Sequence, residues 1–249
     1  MKAAFLIPVY NHGATLEAVV QQLLPYKMSV IVVDDGNDEK NKAFISAVAQ
    51  NYKEVILVTH TKNKGKGQAM NSGVKKAAEL GFTHIFQLDA DGQHDTAQCG
   101  LFLEESLKNP DAIINGYPQY DESAPSHRKN GREISNGFAR FVTWNKNIRD
   151  VLCGFRIYPV EPYAKLLASP VFLDSRMGYD VDILVHLLWR GLPIVNCPVK
   201  VTYPQDGVSN FRLVRDNLHI AGTFTRLCLG MIVRIPKLAV QVRRRNGKN

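Results

Sequence analysis

The sequence has few cysteines, and no two of them lie close together. Cys99, Cys153, Cys197 and Cys228 form no C-x-x-C pair. A zinc ribbon requires such pairs and a disulfide scaffold requires a denser set, so both classes of protein are excluded. This sparse usage is typical of a protein that works in a reducing cytoplasm.

Long apolar runs are also absent. The amino-terminal run is short and is interrupted by Pro8, which does not fit a signal peptide. Apolar residues recur from 213 to 242, but Arg226 and Arg234 interrupt any span of about 20 residues that a transmembrane helix needs. The pattern favours instead an amphipathic helix that lies at a membrane interface.

Acidic residues are missing from the last part of the chain, residues 234–249, which holds six cations. The whole chain carries a formal charge of +8, so the remaining residues carry only +2. A protein that binds nucleic acid would show a basic stripe across its folded body, and nucleic acid is therefore excluded as a partner. We expect an anionic membrane surface instead, with the protein peripheral at the cytoplasmic, inner face.

Strand-like and helix-like segments alternate strictly in the first half of the chain. The predicted strands cover 3–9, 29–35, 54–60 and 83–89, and the predicted helices cover 14–24, 39–51 and 68–80. With 249 residues and a hydrophobic content of 45%, the chain can bury one large α/β core. The alternation predicts a parallel sheet with helices on both faces and ligands at the carboxyl ends of the strands.

Beyond residue 110 the alternation is weaker. The polar segment 117–132 contains two prolines and predicts a loop that could act as a lid. The later predictions are a helix over 133–148, a strand over 150–159, a helix over 178–191 and a pair of strands over 192–204.

Each of the four predicted strands ends in polar, turn-forming residues. They are Pro8, Tyr10 and Asn11 after the first strand, Asp34 and Asp35 after the second, the segment 62–73 after the third, and Asp89 and Asp91 after the fourth. Because parallel strands share one carboxyl edge, we expect these residues to meet there.

The D-x-D pair Asp89 and Asp91 follows the fourth strand directly. Carboxylate oxygens without a nearby thiolate or histidine pair favour a hard cation, Mg²⁺ or Mn²⁺, over zinc. Such an ion usually shares its coordination with substrate phosphates. The alternative interpretation is a surface turn in which one aspartate caps a helix.

The segment KNKGKGQAMNSG, at 62–73, combines glycines with lysines. It is not a Walker loop, and no G-x-G-x-x-G follows the first strand. The glycines allow close backbone approach, and a helix that begins near Gln68 would present its amino end to an anion. A solvated basic turn explains the same residues equally well.

Two further aspartate pairs have a functional and a structural interpretation. Asp34 and Asp35 could accept hydrogen bonds from a base N–H or a ribose hydroxyl, or they could be turn residues. Asp180 and Asp182 open an apolar helix, where either one could be the general base or a helix cap.

Five segments together resemble the family 2 inverting glycosyltransferases, and most closely the dolichyl-phosphate mannose synthase branch. They are FLIPVYNHGATL, VVDDGN, NKGKGQAMNSG, LDADGQH and DVLCGFR, in the order of the family and within residues 3–160. The resemblance implies the α/β GT-A fold, a mostly parallel central sheet flanked by helices. We assign residues 1–212 to this domain and 213–249 to an amphipathic, basic extension.

The resemblance also implies roles for individual residues. Pro8, Tyr10 and Asn11 would line the nucleotide pocket, Asp34 and Asp35 would bind the base, and Lys66 would approach the nucleotide and its phosphates. Asp89 would lie near the ribose and the metal, Asp91 would be the main metal ligand beside Gln93, and Arg128 and Arg132 would bind the acceptor phosphate.

The chain departs from the family pattern in two ways. The Glu-Asp motif of the base appears as Tyr179-Asp180 with Asp182 nearby, which leaves the base open between the two aspartates. The Q-x-x-R-W motif of processive synthases is missing, which favours transfer of a single sugar.

We therefore expect an enzyme that transfers one sugar, with inversion, from a UDP- or GDP-sugar to a lipid-linked or other membrane-associated acceptor. The alternatives are a sugar nucleotidyltransferase and a non-catalytic protein that binds nucleotide-sugars.

Overall fold

A seven-stranded sheet forms the centre of the protein. The computed structural model describes residues 1–119, 126–176, 178–200 and 213–246, with side chains except at 126–130, 213–220 and 246. The strands are β1 Ala3–Val9, β2 Ser29–Asp34, β3 Val55–Thr59, β4 His84–Gln87, β5 Ile113–Gln119, β6 Arg156–Pro159 and β7 Ile194–Lys200. Their order is β3-β2-β1-β4-β6-β5-β7, and β6 alone runs antiparallel to its neighbours.

Helices connect and cover these strands. In the described part of the chain they are α1 Gly13–Leu23, α2 Glu39–Asn51, α3 Lys66–Glu79, α4 Cys99–Lys108, α5 Ser126–Thr143, α6 Val160–Leu167, α7 Tyr179–Trp189, α8 Leu213–Ile232 and α9 Ile235–Asn246. The predicted alternation in the first half and the mostly parallel sheet are confirmed.

The central strands are buried on both faces, which explains their continuous apolar sequences. Successive side chains of a strand point to opposite faces of a sheet. Phe5 and Ile7 of β1 accordingly belong to one core cluster, and Leu6 belongs to the other. Parallel strands covered by helices on both sides are typically apolar throughout rather than alternating.

The loop predicted over 117–132 is wrong for most of its length. β5 continues to Gln119, and α5 begins at Ser126. The polar composition belongs to the first turns of a helix, where Arg132 donates from Nε to Asp150 Oδ2 at 2.7 Å. The remaining part of the predicted lid, 120–125, lies outside the described residues.

The strand predicted over 150–159 is also too long, since β6 begins only at Arg156. The preceding residues form a turn around Asp150, whose Oδ1 accepts from Leu152 N at 2.9 Å and from Cys153 N at 2.6 Å. An aspartate that binds the backbone two and three residues ahead favours a turn over a strand. Of the predicted strand pair over 192–204, the structure has β7, and the rest lies outside the described residues.

Two helices, α8 and α9, form the carboxyl-terminal part. Leu227 and Met231 of α8 and Leu238 of α9 are buried in the same core cluster as Trp189 of α7. In the residues that the structure covers, no helix has both the length and the apolar run needed to cross a bilayer. The proposed domain boundary at 212 lies outside the described residues and stays a prediction.

Candidate active site

The carboxyl ends of β2, β1 and β4 lie side by side, because these strands are neighbours in the sheet. This edge brings together residues that follow three different strands: Asn11 after β1, Asp34 and Asp35 at the end of β2, and Asp89 and Asp91 after β4. Ligands of open α/β sheets bind at such an edge. It is therefore the candidate active site.

Lys66, the first residue of α3, connects two carboxylates at this edge. Its Nζ lies 2.7 Å from Asp89 Oδ1 and 2.9 Å from Asp180 Oδ2. Burial disfavours the charged lysine, but Asp180 and then Asp89 outweigh burial and hold the pKa of Lys66 well above its ordinary value. Burial would likewise raise the pKa of Asp89, yet Lys66 and then His94 lower it. Lys66 and Asp89 are thus both charged at neutral pH.

Two residues of the sheet bind Asp180, which lies at the start of α7. Gln87 of β4 donates from Nε2 to Asp180 Oδ1 at 2.9 Å. Arg156 of β6 donates to the backbone oxygen of Asp180 at 2.8 Å and to the Tyr158 hydroxyl at 3.2 Å. Both Gln87 and Arg156 are fully buried. The sequence analysis missed these supports, although a polar residue inside each of two mostly buried strands was a usable signal.

Asp35 holds residues 64–67, which we call the glycine loop. Its carboxylate accepts from Lys64 N at 2.9 Å and from Gly65 N at 2.8 Å. His60 Nδ1 lies 2.7 Å from Asp35 Oδ1, and His60 Nε2 lies 2.9 Å from the Ser72 hydroxyl. Gly65 has φ of +92°, a conformation that favours glycine. The contact with His60, at the end of the third predicted strand, was also missed.

The turns after β1 and β2 are fastened to each other by Asn37. Asp34 Oδ1 accepts from Asn37 N at 3.0 Å and from its side-chain amide at 2.6 Å. Asn37 Oδ1 in turn accepts from Asn11 N at 2.7 Å, and Asn11 has φ of +61°. Tyr10 is 40% exposed and Pro8 is half-buried beside this turn. The predicted residues of the first two strands therefore form one wall of the site.

The D-x-D segment follows β4 and contacts Lys66 through Asp89. Asp91 Oδ1 accepts from Gln93 N at 3.0 Å. A Cβ at Gly154 would lie 2.6 Å from Asp89 Oδ2, so only glycine allows the backbone to approach this carboxylate so closely. Burial lowers the pKa of neighbouring His94, although the charges of Asp89 and Asp91 oppose this effect. Within the described residues no group of three or more histidine, cysteine or acidic side chains is arranged to hold a metal ion by itself.

Asp182 does not join the cluster around Lys66. Its side chain is fully buried, and Oδ2 accepts from Arg226 Nη2 at 2.9 Å and from Asp174 N at 2.7 Å. His186 Nε2 lies 3.4 Å from Oδ1.

The structure describes the side chain of one of the two arginines that were expected to bind the acceptor. Arg132 forms its ion pair with Asp150, in the turn that leads to β6. Arg128 lies in α5, and its side chain is outside the described residues.

Comparisons with known proteins agree with this arrangement. The sequence profile of glycosyl transferase family 2 matches residues 4–167. An uncharacterised protein of Methanocaldococcus jannaschii is 32% identical over 218 residues, which covers 82% of this chain and 90% of that protein. Polyprenol monophosphomannose synthase of Mycolicibacterium smegmatis is 26% identical over 215 residues, covering 82% of this chain and 78% of the synthase.

A solved structure with the same fold is glucosyl-3-phosphoglycerate synthase of Mycobacterium tuberculosis in complex with Mn²⁺, UDP-glucose and phosphoglyceric acid. It matches with a TM-score of 0.65 at 14% identity and covers 91% of this chain and 79% of that chain. This likeness shows the GT-A fold. The profile match covers well over half of the chain and includes the strand ends that form the site. The chain thus belongs to glycosyl transferase family 2, and the protein is a glycosyltransferase.

Proposed function

We propose that the protein transfers one sugar, with inversion, from a UDP- or GDP-sugar to the phosphate of a membrane lipid. The observation that carries the proposal is the contact of Lys66 with Asp89 and Asp180 beside the glycine loop. It combines a partly buried cation and two carboxylates at one sheet edge. The relative named polyprenol monophosphomannose synthase supports a lipid phosphate as the acceptor.

The nucleotide would lie against the wall formed by Pro8, Tyr10 and Asn11. Asp34 and Asp35 would bind the base from below. The two oxygens of Asp35 already accept from the glycine loop and His60, but a carboxylate has about four acceptor positions, so one remains for a base N–H. Asp35 would therefore both hold the glycine loop and contact the donor.

Asp91 would be the main ligand of a divalent cation, with Asp89 as the second ligand and Gln93 beside it. The donor set fits Mg²⁺ or Mn²⁺, because both ligands are carboxylates and these hard cations prefer oxygen ligands. Such an ion neutralises charge on a departing diphosphate. Lys66 would add its own positive charge at the same place.

The acceptor would approach Asp180. A phosphate acceptor is already ionised and needs no base, so Asp180 would serve mainly to hold Lys66 in place. A hydroxyl acceptor would need a base, and Asp180 fits that role better than Asp182, which Arg226 occupies. Arg132, and Arg128 in the same helix, would attract the acceptor phosphate.

The carboxyl-terminal helices would place the enzyme on the cytoplasmic face of a membrane. Leu229 and Ile232 are exposed on α8, Val233 is exposed directly after it, and Val240 is exposed on α9. The last turn of α9 carries the three arginines 243–245. Apolar side chains next to cations are typical of a helix that lies at an anionic bilayer surface.

A thermal-shift panel tests the donor site and the cation together. We expect one UDP- or GDP-sugar to raise the Tm of the wild-type protein only when MnCl₂ is present. Ligand at a hundredfold excess over its Kd stabilises a protein by about 2.7 kcal/mol. Asp91→Asn should abolish the metal-dependent increment.

Asp95→Asn is the matched control, because Asp95 caps the short turn at Thr96–Gln98 by accepting from Ala97 N. It should keep the metal-dependent rise in Tm. The proposal would be wrong if no donor shifted the Tm, or if Asp91→Asn responded like the wild type.

A further inference from the structure

The glycine loop rests on the segment 172–176, which precedes α7 and which we call the connector. Gly67 N donates to Ser175 O at 2.9 Å. A Cβ at Gly65 would lie 2.2 Å from Ser175 O, and one at Gly67 would lie 2.6 Å from Asp174 O. With backbone against backbone and no side chain between them, the loop must follow any displacement of the connector.

Side chains of helix α8 also contact the connector. The Thr223 hydroxyl donates to Asp174 Oδ2 at 2.9 Å. Arg226 Nη1 donates to Phe172 O at 2.9 Å, and the guanidinium lies 4.7 Å from the centre of the Phe172 ring. Two residues of one helix thus contact the first and the middle residue of the connector.

Arg226 also reaches the helix that carries Asp180. Its Nη2 lies 2.9 Å from Asp182 Oδ2, and the same oxygen accepts from Asp174 N at 2.7 Å. Asp182 and Asp180 both lie in the first turn of α7, and Asp180 binds Lys66 of the glycine loop. The ion pair therefore joins α8, the connector and α7.

We infer that Thr223 and Arg226 are positioning residues for the transfer reaction. Through the connector they set the position of the glycine loop, and hence how well the loop receives the diphosphate of the donor. The inference rests on the donor site of the proposed function. It concerns neither a ligand of the cation nor a residue that touches the acceptor.

Thr223→Val tests the inference, since it removes the hydroxyl with little change in shape. Thr225→Val is the matched control, because Thr225 is exposed on the same helix and its hydroxyl, among the residues that the structure describes, donates within the helix to Ala221 O at 3.0 Å. With UDP-glucose and GDP-mannose plus MnCl₂ as probes, Thr223→Val should raise the KM for the productive donor at least fivefold. The KM for the acceptor should stay unchanged.

Thr225→Val should keep both constants within twofold of the wild type, and Thr223→Ser should restore the donor KM. A purely structural role for the hydroxyl would lower the Tm without separating the two KM values. Equal donor KM values for the two valine variants overturn the inference.

A measurement without donor separates this inference from the proposed function. The exchange of the Gly65 and Gly67 amides with deuterium should be faster in Thr223→Val than in Thr225→Val, while exchange in the sheet stays equal. Equal exchange of these amides in the two variants overturns the inference. If neither probe binds the wild type, the proposed function fails, and the exchange rates alone decide the role of Thr223.

Discussion

At the scale of single residues, Asp180 and Asp182 lie in the same helix turn but contact different partners. Asp180 contacts Lys66 and Gln87, whereas Asp182 contacts Arg226 and the connector. The sequence left the two equivalent, because both precede the same apolar run. Their side chains point in different directions around α7, so they contact different residues.

Kinetics of Asp180→Asn and Asp182→Asn should separate the two roles. We expect Asp180→Asn to lower kcat about tenfold, because Lys66 loses one of its two carboxylates. Asp182→Asn should raise the donor KM and leave kcat near the wild-type value. Loss of a general base costs about 10²–10⁴ in rate. A fall in kcat above about a hundredfold for Asp180→Asn would contradict a phosphate acceptor.

The ion pair of Asp182 also makes a prediction about stability and pH. Burial would raise the pKa of Asp182, but its hydrogen bonds with His186 and Arg226 outweigh burial and lower the pKa. The stabilisation is therefore fully present above the unfolded-state pKa of about 3.9 and is lost as pH falls through the lower folded-state value.

At pH 7 we expect Asp182→Asn to lower the free energy of unfolding by roughly 3 kcal/mol, the lower end of the range for breaking a buried pair, because Arg226 keeps some access to water. Denaturant titrations at pH 7 and below pH 4 measure this difference. It should shrink at acid pH, and a constant difference would exclude the ion pair as its source. Asp38→Asn is the control on an exposed helix cap.

At the scale of elements, α9 combines a buried side with a strongly basic last turn. Leu238 lies in the core, while Arg243, Arg244 and Arg245 end the helix. Changing these three arginines to glutamine should weaken binding to phosphatidylglycerol-containing vesicles at least tenfold at low salt. Each basic residue near an anionic leaflet contributes about 1 kcal/mol before screening.

A control with the same change of charge uses three exposed lysines outside α8 and α9, namely Lys27, Lys40 and Lys53, changed to glutamine. A vesicle co-sedimentation assay should show nearly unchanged binding for this control. Binding of the wild type should fall as salt rises, because exposed charges are screened. Equal binding by the two triple variants would refute membrane docking through α9.

Elements were predicted well where an apolar pattern defined them. The helix at 39–51 was predicted with the bounds that the structure has, because Asp38 caps it by accepting from Asn41 N at 2.8 Å. α5 was predicted to begin too late, because its first turns make polar contacts instead of burying an apolar stripe. A polar helix turn and a loop have similar compositions, and only contacts distinguish them.

At the scale of the whole molecule, the predicted family and the GT-A fold are confirmed by the comparisons, and so is the prediction of a glycosyltransferase. The profile match to a glycosyltransferase family also sets aside the nucleotidyltransferase and the non-catalytic binding protein. The assigned roles of single site residues stay predictions, which the variants above examine. Apolar side chains of α8 and α9 are buried in the same core cluster as those of α7.

The sequence by itself determined the order of strands and helices and the polar chemistry at each strand end. These follow from burial periodicity and turn residues, which are local properties of the chain. Only the tertiary structure decided that Lys66 meets Asp89 and Asp180, that Gln87 and Arg156 support Asp180, and that α8 holds the connector. These contacts join residues far apart in the chain, and their geometry arises only when sheet order and helix packing bring the elements together.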